Sequence, residues 1–363
     1  MKSTMKKYTA PLLLALLAPI GFVCQRLFSS APQLVEKYFS QGIYPFFAKA
    51  ISAVTGLLPF SLAEILVVTA VIWIPLLIYR FYSASKKENG RLDAVLLTLV
   101  KTAALASAGY FVYLCLCGFN YARMPYGRIA GYDTSPASAS DLQVVCLELA
   151  NEANELRALL DEEMLFESHY DIAKRCRQNY DNASKSAPWL SGRYGQPKAV
   201  MLSEPWAHTQ TTGMFFPFTV EANYNRVNSH FMYASTIAHE AAHQRGFMRE
   251  DEANFIAWYV CANSESIADR YSGTMLALIH AMNKLYSANS DMFVQVYRIY
   301  SQDVIGDLSA HSELWDKYEG KTAQVQEQVN NTYLKSNMQQ DGVLSYGRMV
   351  DLLIGYYRAQ GLI

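Results

Sequence analysis

The sequence predicts a mainly α protein in two parts. Three N-terminal transmembrane helices come first, followed by an α+β zincin-like domain with a small sheet just before its central helix. Three observations predict this. The first third is strongly apolar, whereas the remainder has the Tyr- and Asn-rich composition of a folded soluble domain. That remainder is dominated by helical periodicity, with one clear β signal over residues 199–225. Directly after it stands H-E-x-x-H, at His239, Glu240 and His243. With 363 residues the chain is long enough for more than one domain, and a net charge of −1 leaves no basic surface for nucleic acid.

Taken in order, Lys2, Lys6 and Lys7 precede an uncharged run from Tyr8 to Gln25. That run just meets the length of a helical span. A cleaved signal peptide is the alternative, with Ser29-Ser30-Ala31 as the small-residue site, but Arg26 argues against cleavage. Residues 29–59 hold amphipathic pieces around Leu34–Phe39 and Tyr44–Ile51 that suit a membrane surface. Ser61 reads as the cap of a second span, with Glu64 in its first turn. Arg80, Lys86, Lys87 and Arg91 crowd the next loop, and a third apolar run covers 94–121, interrupted only by Lys101. The expected spans are thus about 8–28, 60–80 and 94–121 within a membrane anchor of residues 1–121. Lys and Arg concentrate before the first span and in the 80–92 loop. The positive-inside rule therefore places the N-terminus in the cytoplasm and everything after Tyr121 outside.

A linker over 122–139 holds Pro125, Gly127, Gly131 and Pro136 and leads into a domain of residues 140–363. A helix capped at Ser138 or Ser140 and another over about His169–Ser184 suggest a helical hairpin. Ala199–Leu202 and Met214–Val220 read as strands, with Pro217 marking the second as an edge or a bulge. The motif helix is expected from near Ser229 to a C-cap at Gly246, and the next from near Arg249 through Ile267. Of the six cysteines, Cys24, Cys115 and Cys117 lie in apolar segments. Cys146 and Cys176 could pair if the domain faces an oxidising compartment.

The chemistry sits in the motif. Positions i and i+4 of a helix share a face, so His239 and His243 can hold one zinc ion, with Glu240 beside them as base for a metal-bound water. Such a site needs a third protein ligand. The acidic residues after Gly246 supply Glu250, with Glu252 as runner-up and Asp251 behind both. Glu250 and Asn254 share a face at i and i+4, so Asn254 could orient a ligand histidine; Glu252 faces about 160° away from Glu250. Tyr346, Tyr224, His230 and His208 are candidates to stabilise a transition state. Glu221, beside the edge strand, could contact substrate.

H-E-x-x-H followed by a helix with E-x-x-A-[DN] resembles the gluzincin zinc peptidases, and that resemblance implies Glu250 as third ligand. The gap from His243 to Glu250 is shorter than in most of that group. Gly246 resembles the turn glycine of metzincins, but the residue at their ligand position would be Arg249, which cannot bind zinc. The joint occurrence of the three apolar runs, N-Y-A-R at Asn120–Arg123, F-P-F-T-V-E-A-N at Phe216–Asn223, H-E-A-A-H-Q-R-G-F at His239–Phe247, E-D-E-A-N-F at Glu250–Phe255 and D-G-V-L-S-Y at Asp341–Tyr346 is similar to a bacterial membrane family of unknown function with a zinc-peptidase motif. The resemblance implies a membrane-anchored zinc metallopeptidase acting on a peptide or protein, with the lipid bilayer as its other partner. Two other expectations remain: an amidase acting on cell-wall peptides, and a non-catalytic sensor or scaffold stabilised by zinc.

Overall fold

A computed structural model describes residues 2–85, 91–337, 339 and 348–363. It is mainly helical, with one three-stranded sheet.

Among the described residues, two helices are long and apolar enough to cross a membrane, Lys7–Ser29 and Val95–Leu116, where the sequence led us to expect three. The middle stretch is one helix, Leu62–Ser85, but its apolar described part runs only from Leu62 to Leu76. The first stretch is broken into Lys2–Ala15 and Leu17–Ser29. Pro19 has no N–H to give the Ala15 carbonyl. Ser107 of the Arg91–Leu116 helix fills the gap: its hydroxyl donates to Ala15 O at 2.9 Å and accepts from Ala18 N at 2.7 Å. In apolar surroundings a freed carbonyl needs such a partner.

These contacts also fix direction. Ala18 meets Ser107, Gly21 meets Leu114, and Phe28 packs on Phe119. The first and third apolar segments therefore run parallel, both towards the folded domain. Leu62–Ser85 runs the other way, because its start is tied to the domain: Glu221 accepts from the N–H groups of Leu62 and Ala63.

Residues 29–59 do not simply lie on a surface. A π-helix, Val35–Ile43, leads into a helix, Tyr44–Thr55, and their inner residues Val35, Phe39, Tyr44 and Ala48 are buried. Phe46, Phe47 and Val54 point outward. The expected 122–139 linker is likewise not loose at its start. Arg123 is buried and pairs with buried Glu36 at 2.7 Å, its guanidinium lies over the Phe247 ring, and a short helix Tyr126–Ala130 follows.

In the domain, Ala139–Ala158 starts with a capping box from Ser138 and Asp141. It packs on Ile267–Ala288, while His169–Ala183 packs on the motif helix, so the two do not form the expected hairpin. All six cysteines are free thiols, which removes the Cys146–Cys176 pairing. The strands are β1 (Lys198–Ala199), β2 (Gly213–Phe216) and β3 (Glu221–Tyr224), in the order β1-β3-β2. The expected strand through Val220 instead ends at Phe216. A turn at Pro217–Val220 reverses the chain, so that β3 pairs antiparallel with β2 and leaves β2 at the edge.

Candidate metal centre

The motif helix is Tyr233–Gln244, preceded by a 3-10 turn, His230–Met232, where the sequence led us to expect helix from Ser229. Nearly every side chain on it is buried, as its small residues require: Ala234, Ala238, Ala241 and Ala242 let other elements approach closely. It ends at Gly246, whose φ of 81° is left-handed. A Cβ there would stand 3.1 Å from the Tyr44 ring. The turn is closed by Phe247 N donating to Ala242 O, and the next helix, Glu250–Ala262, begins at once and ends five residues short of the expected Ile267. Buried Ala253 and Ala257 let it lie against the motif helix. The short gap between His243 and Glu250 is therefore a tight helix–turn–helix reversal that returns the first turn of the second helix to the histidines.

The result is a cluster of His239, His243 and Glu250, whose ligand-type atoms all lie within 4.8 Å of one another. The two Nε2 atoms are 3.2 Å apart, and Glu250 Oε2 is 3.1 Å from His239 Nε2. A tetrahedral zinc ion with bonds of about 2.0–2.2 Å separates its ligand atoms by about 3.3 Å, so these spacings fit that ion. The outer nitrogens fix the rings. His239 Nδ1 is 2.8 Å from Asn254 Oδ1, and His243 Nδ1 is 2.6 Å from Phe247 O. With Nδ1–H donating outward, both Nε2 positions face the centre, the arrangement that metal-binding histidines require. Asn254 thus does what its i+4 spacing from Glu250 predicted.

The electrostatics match. Burial disfavours the His239 imidazolium, but the hydrogen bond and charge of Glu250 outweigh it and raise its pKa to about 9. Burial and the neighbouring His239 hold His243 down at about 4. Without a metal, one proton therefore sits among three converging acceptors, where a cation would. Glu240 is pushed up to about 8 by burial, and its Oε2 has no hydrogen-bond partner among the described residues. Its carboxylate lies against β2, where a Cβ on Gly213 would stand 2.5 Å from Oε1.

Of the other acidic candidates, Glu252 is turned away. It accepts from Tyr126 N at 2.8 Å and pairs with Arg249. Asp251 lies 3.7 Å from Arg348. Glu221 is not a substrate contact: it pairs with Lys198 at 2.6 Å and caps the Leu62–Ser85 helix. Tyr224 is buried, with its hydroxyl 3.0 Å from His169 Nδ1. His230 packs on Phe166 and His208 on Tyr318. Tyr346, and with it the Asp341–Tyr346 stretch, lies outside the described residues.

The cluster opens into a cleft of about 1060 Å³, lined by β2, the motif helix and two residues not singled out from the sequence, His280 and His311. His311 Nδ1 is 2.7 Å from Ser229 Oγ. Each stands alone on its own helix, so no local spacing marked it.

A family model described as Protein of unknown function (DUF3810) matches residues 39–354. No curated protein and no solved structure matches the chain.

Proposed function

We propose that the chain, which belongs to the DUF3810 family, is a membrane-anchored, zinc-dependent metallopeptidase with a gluzincin-like site. One observation carries the proposal: His239, His243 and Glu250 converge at ligand spacing, with both rings pinned from behind and a Glu240 carboxylate beside them whose Oε2 has no partner among the described residues. Among the described residues three ligand groups meet at an open cleft, which suits a catalytic site better than a closed structural one.

A zinc ion held there would polarise a substrate carbonyl and make a water acidic near neutral pH. Glu240 takes the proton of the attacking water at Oε2 and hands it to the leaving amine nitrogen. β2, the edge strand of the described sheet, holds the substrate extended by main-chain pairing, with its Phe215 N–H turned to the Glu240 carboxylate. His280, which lines the same cleft, is held uncharged by burial and by the charge of His239, its pKa lowered to about 4, so it would offer substrate a neutral imidazole rather than a cation.

The same reading takes all three apolar segments as spans, with the N-terminus in the cytoplasm and the domain on the outer face. The up-down-up course of the segments supports this, as do Lys2, Lys6 and Lys7 at the end away from the domain. The test is metal analysis of the full chain, with hydrolysis of a peptide library followed with and without chelator. The expected result is about one zinc per chain, lost in His243→Ala, and hydrolysis that stops when zinc is removed. A chain that takes up no zinc at its own cluster would end the proposal.

A further inference from the structure

We propose that this cleft takes its substrate from the bilayer: the polypeptide it cuts carries a membrane-embedded apolar segment, and the bond cut lies within a few residues of that segment. This rests on the peptidase reading above and names its substrate class.

The argument starts at β2. Its first residue, Gly213, lies against Glu240. Its last, Phe216, lines the catalytic cleft and also a second hollow of about 580 Å³ along the Leu62–Ser85 helix. That hollow is formed by Leu66, Val67, Ala70, Val71, Ile74 and Pro75, a single face of the helix with no charged side chain in it. The cleft and the groove therefore meet at Phe216, which lines both. On another side the cleft reaches Tyr113 and Cys117, at the domain end of the Val95–Leu116 candidate span. The catalytic cleft thus borders two apolar helices where they enter the domain.

Strand geometry supplies a ruler. Gly213 to Phe216 covers about 10 Å at about 3.3 Å per residue. Glu240 meets the strand between Gly213 and Phe215, so a peptide paired with β2, its scissile carbonyl opposite Glu240, reaches the end of the strand within about three residues. The next residues meet the groove. A polar continuation would have to leave water to enter the groove, while a segment already in the bilayer packs its side chains against Val71, which is 68% exposed, and Ile74, which is 55% exposed. Recognition of a bond by its distance from a membrane segment follows directly.

The test uses the full chain in lipid nanodiscs. Two anchored probes carry a leucine-rich membrane helix before or after the same eight-residue flank, and a third is the flank alone. Binding is read in zinc-loaded Glu240→Gln, and the cut position in the parent chain. The inference expects an anchored probe to bind about a hundredfold more tightly than the flank alone. Ala70→Trp, which fills the groove, should weaken that binding about tenfold, whereas Ile72→Trp, on the opposite face, leaves it unchanged. Cuts should fall within about four residues of the helix. Equal binding of flank and anchored probes, or indifference to Ala70→Trp, overturns the inference and shows a groove filled by lipid alone. Groove-dependent binding in Glu240→Gln with no cut in the parent chain supports the inference and defeats the peptidase reading.

Discussion

Asn254→Ala removes the acceptor that holds the His239 ring in place. Asn254 is buried, and its Oδ1 stands 2.8 Å from His239 Nδ1. Without it, the ring either keeps its position with a buried N–H unpaired, at a cost of about 1–3 kcal/mol, or turns to find a partner and takes Nε2 out of the cluster. Loss of such an outer partner lowers metal affinity about 10–100-fold in known sites. At about 1.4 kcal/mol per decade that is about 1.4–2.7 kcal/mol, so the two estimates agree. The assay is competition for zinc against a chromophoric chelator. Asn254→Asp, which keeps an acceptor at the same place, should recover most of the affinity. Zinc affinity unchanged within about twofold in Asn254→Ala would refute the reasoning, because the ring would then be oriented by something else.

Gly213→Ala places a Cβ 2.5 Å from Glu240 Oε1 and 2.7 Å from its Cγ, so the carboxylate must move. Zinc content should stay at the parent level while kcat falls about a hundredfold, the usual cost of a misplacement of about 1 Å. Burial alone would lower the His239 pKa, but Glu250 raises it to about 9, so zinc must displace a proton below that pH. Affinity should therefore strengthen about tenfold per pH unit up to about 9, with about one proton released, measurable by titration calorimetry in two buffers. In the metal-free chain the same raised pKa contributes stability below the ordinary value of 6.5, which is lost as pH rises through about 9. Glu221→Gln removes the charge that balances the buried Lys198 ammonium, leaving it the Thr55 and Phe60 carbonyls, and weakens the cap of the Leu62–Ser85 helix. Breaking such a pair costs about 3–5 kcal/mol, or about 10 °C in Tm, with KM unchanged in the surviving enzyme. A KM change at constant Tm would return Glu221 to the substrate site.

The sequence made the local part of the site legible. His239 and His243 share a helix face, and Asn254 shares one with Glu250; periodicity alone reads both. The choice of Glu250 over Glu252 depended on how the second helix returns after Gly246, which helical spacing within one element does not carry. His280 and His311 reach the cleft from separate helices, so only tertiary packing brings them in. Glu221 was misread for the same reason: its place beside the edge strand was right, but Lys198 and the start of the Leu62–Ser85 helix claim its carboxylate. The break after Ala15 could have been anticipated from Pro19, whereas the partner that repairs it, Ser107, could not. The tight packing of residues 35–55 beneath the motif helix, with the Tyr44 hydroxyl 3.2 Å from His243 O, has no signal in either segment alone.

The most direct test of the central claim is hydrolysis by zinc-loaded Glu240→Gln beside the parent chain. Glu240 is not among the three proposed ligands, and its amide analogue is nearly the same size. The account predicts that the variant keeps about one zinc per chain and loses peptide hydrolysis by at least about a hundredfold. A Glu240→Gln chain that holds zinc and cleaves at the parent rate would contradict it.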